Sequence, residues 1–134
     1  MKKQSRIENL ISKFLQLHDR KIDLSLDRIN RLNIDLKINI DNLQAKTVTL
    51  SGTNGKWSTA TTIRSIFEAA GYKVDLFTSP HVQSYTERFI FESKEISEEH
   101  LFDLLSEVGS RNASKPITIF ELLTSAFYFY SASK

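Results

Sequence analysis

Residues Ser51 to Ser58 read S-G-T-N-G-K-W-S, and they lie between a β-branched run and an amphipathic helical pattern. The preceding run, Thr47–Leu50, is typical of a short buried strand because it is rich in β-branched residues. Glycines let the backbone approach an anion closely, and Lys56 adds a positive charge at the same place. The N-terminus of the following helix offers unpaired N–H groups to a phosphate. The stretch therefore predicts a nucleotide-phosphate site.

The segments around this loop predict an α/β unit. A helix is predicted over Trp57–Ala70, ended by Gly71, and a second strand over Lys73–Phe77. A right-handed crossover would make this strand parallel to Thr47–Leu50. Ligands bind at the carboxyl ends of such strands, so the loop Ser79–Arg88 is expected there. The inward face of the helix is predicted to consist of Ile63, Ile66, Phe67 and Ala70.

The rest of the chain predicts mainly helices. Apolar spacing predicts helices over Arg6–Leu17 and from about Ser25, with an irregular stretch at Asn33–Asn42. Further on, the pattern predicts a hairpin over Phe89–Ile96 and then a helix that Ser97 caps and that contains Leu101, Leu104, Leu105 and Val108. Arg111–Lys115 is predicted to be a linker. The helix after it begins with a capping box formed by Thr118 and Glu121 and is apolar nearly all round. The predicted fold class is α/β, a parallel-sheet P-loop fold of three layers, incomplete, with N-terminal helices.

Composition excludes several classes of protein. The chain has 134 residues, a net charge of +2 and no cysteine. That charge indicates neither a nucleic-acid nor a membrane surface, and disulfide or thiolate metal sites are excluded. No secretory leader is recognisable after Met1, so a cytoplasmic location is expected.

The loop departs from the general phosphate-loop pattern G-x-x-x-x-G-K-[ST] at two positions. Leu50 stands where the first glycine belongs, and Trp57 follows Lys56, so a hydroxyl comes only at Ser58. An ordinary strand–turn–helix would account for the glycines. It would not account for Lys56 or for the polar pair Thr53-Asn54.

A closer pattern exists: G-T-N-G-K followed by Ser58 resembles the nucleotide loop of the Mur-ligase superfamily, and within it that of folylpolyglutamate synthase/dihydrofolate synthase. Five more segments resemble this family in the same order, and together they cover nearly the whole chain. They are Lys21–Leu24 with Leu26–Arg28, Thr78–His81, Tyr85–Phe89, Glu95–Ser97 and Thr118–Glu121.

The resemblance implies an ATP-dependent ligase that joins L-glutamate to dihydropteroate and/or folate through an acyl phosphate. The implied partners are ATP, Mg²⁺, dihydropteroate or folate, and L-glutamate, in a monomeric full-length enzyme. It implies Lys56 as the catalytic residue, and Ser79 as a metal ligand. The implied ATP-binding residues are Gly52, Thr53, Asn54, Gly55, Lys56 and Ser58, and the implied pterin or folate residues are Lys21, Ile22, Asp23, Thr118, Ile119, Phe120 and Glu121.

Several side chains keep alternative interpretations. Ser58 would approach the magnesium–ATP site or cap the helix, and His81 would shape its loop. Glu87 and Arg88 would form a local ion pair or lie on the substrate side. Trp57 stands where the family has glycine, and we expect it to weaken ATP binding.

The same resemblance predicts that the chain is a truncated piece, with residues 1–45 helical, residues 46–134 the phosphate-loop part, and no C-terminal domain. Most of the residues expected to bind glutamate and the second metal are not among its 134 residues, so the isolated chain is expected not to ligate. Alternatives are another Mur-type amide ligase, a small phosphate-loop kinase or a non-catalytic nucleotide-binding module. The segments Tyr85–Phe89 and Thr118–Glu121 argue against the other ligases, and the missing hydroxyl after Lys56 argues against the kinase.

Overall fold

The computed structural model describes residues 5–18 and 24–134. The chain divides into two compact units. One consists of the described residues up to Ile40 together with Glu98–Lys134, and the other is Asp41–Ser97. In the described ranges, no helix combines the length and the apolar character that a bilayer span requires.

The first unit is helical and contains α1 (Arg6–Phe14), α2 (Asp27–Asp35), α5 (Glu98–Asn112) and α6 (Ile119–Ala132). Helix α1 begins with a capping box, in which Glu8 N–H donates to Ser5 Oγ at 3.2 Å and Ser5 N–H to Glu8 Oε2 at 2.9 Å. A Cβ added at Gly109 of α5 would lie 2.6 Å from the Phe14 ring, so α1 and α5 need glycine there to pack this closely. The buried apolar side chains are Ile7, Ile11, Phe14, Leu32, Leu36, Leu101, Leu104, Leu105, Val108, Ile117, Leu122, Leu123 and Ala126.

The second unit contains helix α4 (Lys56–Ala69) and a three-stranded antiparallel sheet in the order β1 (Leu76–Phe77), β2 (Phe89–Phe91) and β3 (Lys94–Glu95). Leu76 pairs with Ile90 and Phe77 with Phe89, while Ile90 pairs with Glu95 and Phe91 with Lys94. A two-residue turn, in which Glu92 and Ser93 have φ of 47° and 69°, connects β2 to β3. Two positive φ values are typical of the tight turns that suit hairpins. The predicted hairpin is therefore confirmed.

The short helix α3 (Ile40–Gln44) and the last residues of α2, Asn33–Asp35, overlap the stretch Asn33–Asn42, for which the sequence predicts irregular structure. The prediction is wrong for these residues.

Helix α4 ends close to the predicted place, because Gly71 has φ +87° and Tyr72 N–H donates to the Phe67 carbonyl at 3.0 Å. That is the bond of a glycine-terminated helix.

The predicted parallel strand pair is not formed by the described residues. Thr47–Leu50 has no strand partner in the described ranges, and Val48 is 63% exposed. Of the second predicted strand only Leu76–Phe77 is a strand, and its neighbour is the antiparallel β2. A strand exists only through its ladder, so β-branched composition alone could not specify the pairing.

The predicted inward face of α4 is also wrong for this structure. Ile66 is 63% exposed and Phe67 is 44% exposed. Both belong to the second unit, in which no helical residue of α4 is buried. Spacing identifies an apolar face, but it does not supply the surface that covers it.

Candidate functional site

The predicted phosphate loop precedes α4 in an open conformation. Gly52 has φ +150° and Gly55 has φ +76°, and Gly55 is the N-cap of α4 without a side-chain capping bond. Within the described chain, no backbone N–H from Thr53 to Ser58 donates a hydrogen bond to the protein. These donors lie at the positive end of a 14-residue helix. An oxyanion would satisfy them.

Lys56 is the first residue of α4, and its ammonium group folds back over the loop. Nζ donates to the Gly52 carbonyl and approaches the Thr53 carbonyl at 3.5 Å. The charge therefore lies against the loop instead of extending into solvent. Trp57 follows it with 57% of its surface exposed. Ser58 is the third helical residue and Gly55 holds the N-cap, so the interpretation of Ser58 as a cap is wrong.

Ser79 lies on the loop after β1. Its side chain is exposed, and the Ser79–Pro80 peptide bond is cis. Among the described residues, no group of three histidine or acidic side chains could hold a metal ion. Any metal beside Ser79 would take most of its ligands from water and phosphate oxygens, as Mg²⁺ often does.

The loop Ser79–Arg88 closes on itself through a contact between His81 and Arg88. Arg88 Nε–H donates to His81 Nδ1 at 2.8 Å. The Tyr85 ring lies 4.2 Å from the His81 ring and 5.5 Å from Arg88 Cζ. Burial, and then the charge of Arg88, lower the pKa of His81, which favours the neutral ring. His81 therefore shapes this loop, as expected.

Glu87 holds the turn before Arg88. Its two carboxylate oxygens accept backbone N–H bonds from Val82, Gln83 and Ser84, each 2.8 Å long. These backbone bonds lower the pKa of Glu87. No ion pair joins Glu87 to Arg88 in the described residues, so the interpretation as a local ion pair is wrong.

The pH dependence of this turn should follow Glu87. Its pKa in the folded state lies below the ordinary 4.5, so its bonds are intact above that pH and are lost as the pH falls through the lowered pKa. We expect the amide ¹H–¹⁵N signals of Val82, Gln83 and Ser84 to titrate together at a pH below 4.5. Glu87→Gln should remove this common transition. A midpoint at or above 4.5, or three separate midpoints, would contradict the assignment.

The first turn of α6 is built around a buried carboxylate. Glu121 Oε2 accepts from Thr118 N–H and from Thr118 Oγ1, both at 2.8 Å, and Glu121 N–H donates back to Thr118 Oγ1 at 3.3 Å. This confirms the predicted capping box. Arg28 of α2 then donates from Nε to Oε2 at 3.1 Å and from Nη2 to Oε1 at 3.0 Å. The result is a two-pronged ion pair that fixes the start of α6 against α2.

Electrostatics in this cluster favour the charged glutamate. Burial alone would raise the pKa of Glu121, but hydrogen bonds from Arg28 and Thr118 outweigh it and the pKa is lowered. Sequence reasoning missed Arg28 as a site residue. The available signal was that Arg28 ends one family-like segment while Glu121 ends another.

The predicted pterin residues differ in accessibility. Thr118 is 2% exposed, and its hydroxyl proton is committed to Glu121. Phe120, next to it, is 47% exposed. One face of the α6 start is therefore fixed internally, while the neighbouring Phe120 is partly exposed.

The structure brings the predicted residues together in two groups. Thr118, Ile119, Phe120 and Glu121 form one helical turn of the first unit. The phosphate loop and Ser79 belong to the second unit. The predicted substrate residues Lys21, Ile22 and Asp23 lie outside the described residues.

No family model matches the chain. The dihydrofolate synthase/folylpolyglutamate synthase of Escherichia coli is 32% identical over 131 residues, which cover 97% of this chain and 31% of that protein. The chain thus spans about a third of the length of this curated relative.

Solved structures give the same relationship. E. coli FolC in complex with DHPP and ADP superposes with a TM-score of 0.82 at 31% identity, covering 96% of this chain and 31% of that one. The bifunctional folylpolyglutamate synthase/dihydrofolate synthase of Yersinia pestis, complexed with AMPPNP and Mn ion, gives a TM-score of 0.70 at 27% identity, covering 92% and 31%. The predicted resemblance is confirmed: over nearly its whole length this chain is a homologue of the folylpolyglutamate synthase/dihydrofolate synthases.

Proposed function

We propose that this chain is the ATP-holding part of a ligase that joins L-glutamate to dihydropteroate and/or folate. The single observation that carries the proposal is the loop before α4, where unpaired N–H groups from Thr53 to Ser58 meet the charge of Lys56. The relationship to dihydrofolate synthase/folylpolyglutamate synthases supplies the reaction class.

ATP would bind with its phosphates on this loop. Gly52, Thr53, Asn54 and Gly55 would offer backbone contacts, and Lys56 would turn from the Gly52 carbonyl towards a phosphate oxygen. The related Y. pestis structure contains AMPPNP and Mn ion, which supports a nucleotide with a divalent metal here. Mg²⁺ would then take the exposed Ser79 hydroxyl as one ligand, with the others from phosphate and water.

The acid substrate would contact the exposed Phe120 ring. An aromatic face suits a flat heterocycle, and the related E. coli structure holds DHPP. Thr118 and Glu121 would support the ring without touching the ligand, because Thr118 is buried and its hydroxyl binds Glu121.

The chemistry would be an acyl-phosphate ligation. A substrate carboxylate oxygen attacks the γ-phosphorus of ATP, and the bond to the β-phosphate oxygen breaks to give an acyl phosphate and ADP. The amine of L-glutamate then attacks the acyl carbon, loses a proton and expels phosphate. Lys56 and the loop N–H groups would stabilise the charge that develops on the transferred phosphoryl group.

The finer architecture belongs to the same proposal. Residues 46–134 would form the phosphate-loop part, in which Thr47–Leu50 and Lys73–Phe77 become parallel strands of a three-layer fold once a neighbouring strand pairs with them. The exposed Ile66 and Phe67 of α4 support this, because an apolar helix face needs a surface to cover it.

The proposal is tested by offering the chain its substrates. Calorimetry should detect binding of ATP with Mg²⁺, whereas incubation with dihydropteroate, L-glutamate and ATP–Mg²⁺ should yield no ligated product by chromatography. If ATP does not bind, the proposed phosphate site is wrong, and formation of ligated product would show that these 134 residues suffice for ligation.

The same titration on Trp57→Gly should show tighter ATP binding than the unchanged chain. Equal affinities of the two forms would contradict the inhibitory role expected for the Trp57 indole.

A further inference from the structure

Arg88 presents a guanidinium group whose outer nitrogens have no partner among the described residues. Within the described residues, Nε is the one side-chain nitrogen of Arg88 that donates a hydrogen bond. Nη1 and Nη2 donate none, and neither is enclosed by the protein. The two terminal donors of the fork are therefore available to a ligand.

The surroundings of Arg88 leave its charge uncompensated. Its carboxylate neighbour in the sequence, Glu87, is occupied by three backbone N–H groups. No acidic side chain forms an ion pair with Arg88 in the described part of the chain. Burial disfavours the charge and lowers the pKa of Arg88. A half-buried guanidinium is seldom left without an acidic partner, since desolvation is costly unless a counter-ion binds.

Two neighbouring side chains fix the orientation of the Arg88 guanidinium. His81 Nδ1 accepts the Nε–H bond at 2.8 Å, and the Tyr85 ring lies 5.5 Å from Cζ. Because Nδ1 is an acceptor, the neutral imidazole carries its proton on Nε2. The cluster therefore offers two parallel N–H donors from a planar group held in place before a ligand arrives. This reduces the ordering cost that a free arginine would bear.

We propose that Arg88 is a carboxylate-binding residue for a substrate of the ligation, with His81 and Tyr85 as positioning residues. The proposal rests on the proposed function, which has two carboxylate-bearing substrates, dihydropteroate and L-glutamate. The planar fork matches the two oxygens of a carboxylate in a bidentate contact. The phosphates of ATP have their own donors at Thr53–Ser58 and Lys56.

The test uses the full chain with ¹⁵N-labelled arginine side chains. Sodium dihydropteroate, L-glutamate and ATP–Mg²⁺ are added separately, and the Arg88 Nε–H signal is followed by NMR. We expect either dihydropteroate or L-glutamate to shift this signal. The compound that does so is the one whose carboxylate Arg88 binds. A shift with ATP–Mg²⁺ alone, or with no ligand, would overturn the proposal.

Two variants separate recognition from folding. Arg88→Lys keeps the charge but loses the fork, and it should weaken binding of the responding carboxylate about tenfold while ATP–Mg²⁺ affinity stays within about twofold. The control is Arg111→Lys, whose guanidinium lies 2.8 Å from Glu107 on an exposed face. Equal carboxylate affinity in the Arg88 variant and the control would contradict the proposal. Loss of ATP binding in Lys56 variants, by contrast, reports on the proposed function alone.

Discussion

Lys56→Ala is expected to weaken ATP–Mg²⁺ binding by about tenfold to a hundredfold, which corresponds to loss of one charge-assisted contact to phosphate. Lys56 is a cation that lies directly against the loop, with Nζ donating to the Gly52 carbonyl. Calorimetric titration with ATP–Mg²⁺ measures the change.

Two further variants make this result specific. Lys56→Gln can still donate to the Gly52 carbonyl but carries no charge, so it should lose as much affinity as Lys56→Ala if charge is the cause. Lys73→Ala is the matched control, because the Lys73 side chain is 74% exposed and its ammonium lies 3.4 Å from the Glu92 carboxylate in the same unit. An affinity loss in Lys73→Ala equal to that of Lys56→Ala would show that only general charge matters.

Arg28→Ala is expected to lower the free energy of unfolding by about 2–4 kcal/mol, because it leaves the carboxylate of Glu121 buried without its cation. The side chains of Arg28 and Glu121 are 17% and 9% exposed. Arg111→Ala removes an exposed pair, in which the two side chains are 43% and 49% exposed, and should cost about 1 kcal/mol or less. Urea unfolding at neutral pH measures both values.

Acidification tests the Arg28–Glu121 ion pair in a second way. The pKa of Glu121 in the folded state lies below the ordinary 4.5, so its contribution is complete above that pH and is lost as the pH falls through the lowered value. The stability difference between the unmodified protein and Arg28→Ala should therefore shrink on acidification. A difference that stays constant to low pH would mean that the lost packing of the Arg28 side chain, not its charge, explains the effect.

Local rules recovered much of the fold from the sequence. The Thr118–Glu121 capping box, the Gly71 helix end and the hairpin over Phe89–Ile96 each depend on residues a few positions apart. Such features are fixed by backbone geometry and short-range hydrogen bonds, so the sequence pattern is sufficient to predict them.

Long-range partners account for what could not be predicted. The Arg28–Glu121 contact joins residues 93 positions apart, and nothing local to either residue indicates the other. The predictions of a buried face on α4 and of a strand at Thr47–Leu50 are wrong for the same reason. Both features depend on a surface or a strand contributed from elsewhere. In the candidate site, the spacing of the phosphate-loop motif indicated Lys56 from the sequence alone. The terminal N–H groups of Arg88 could be recognised as available to a ligand only from the contact between Arg88 and His81 in the structure.

The most direct test of the phosphate site is an amide ¹H–¹⁵N titration of the chain with ATP–Mg²⁺. We expect the largest shifts on the backbone amides from Thr53 to Ser58, because these N–H groups have no partner among the described residues at the start of α4. Shifts that leave these amides unchanged, or that concentrate on another part of the chain, would contradict it.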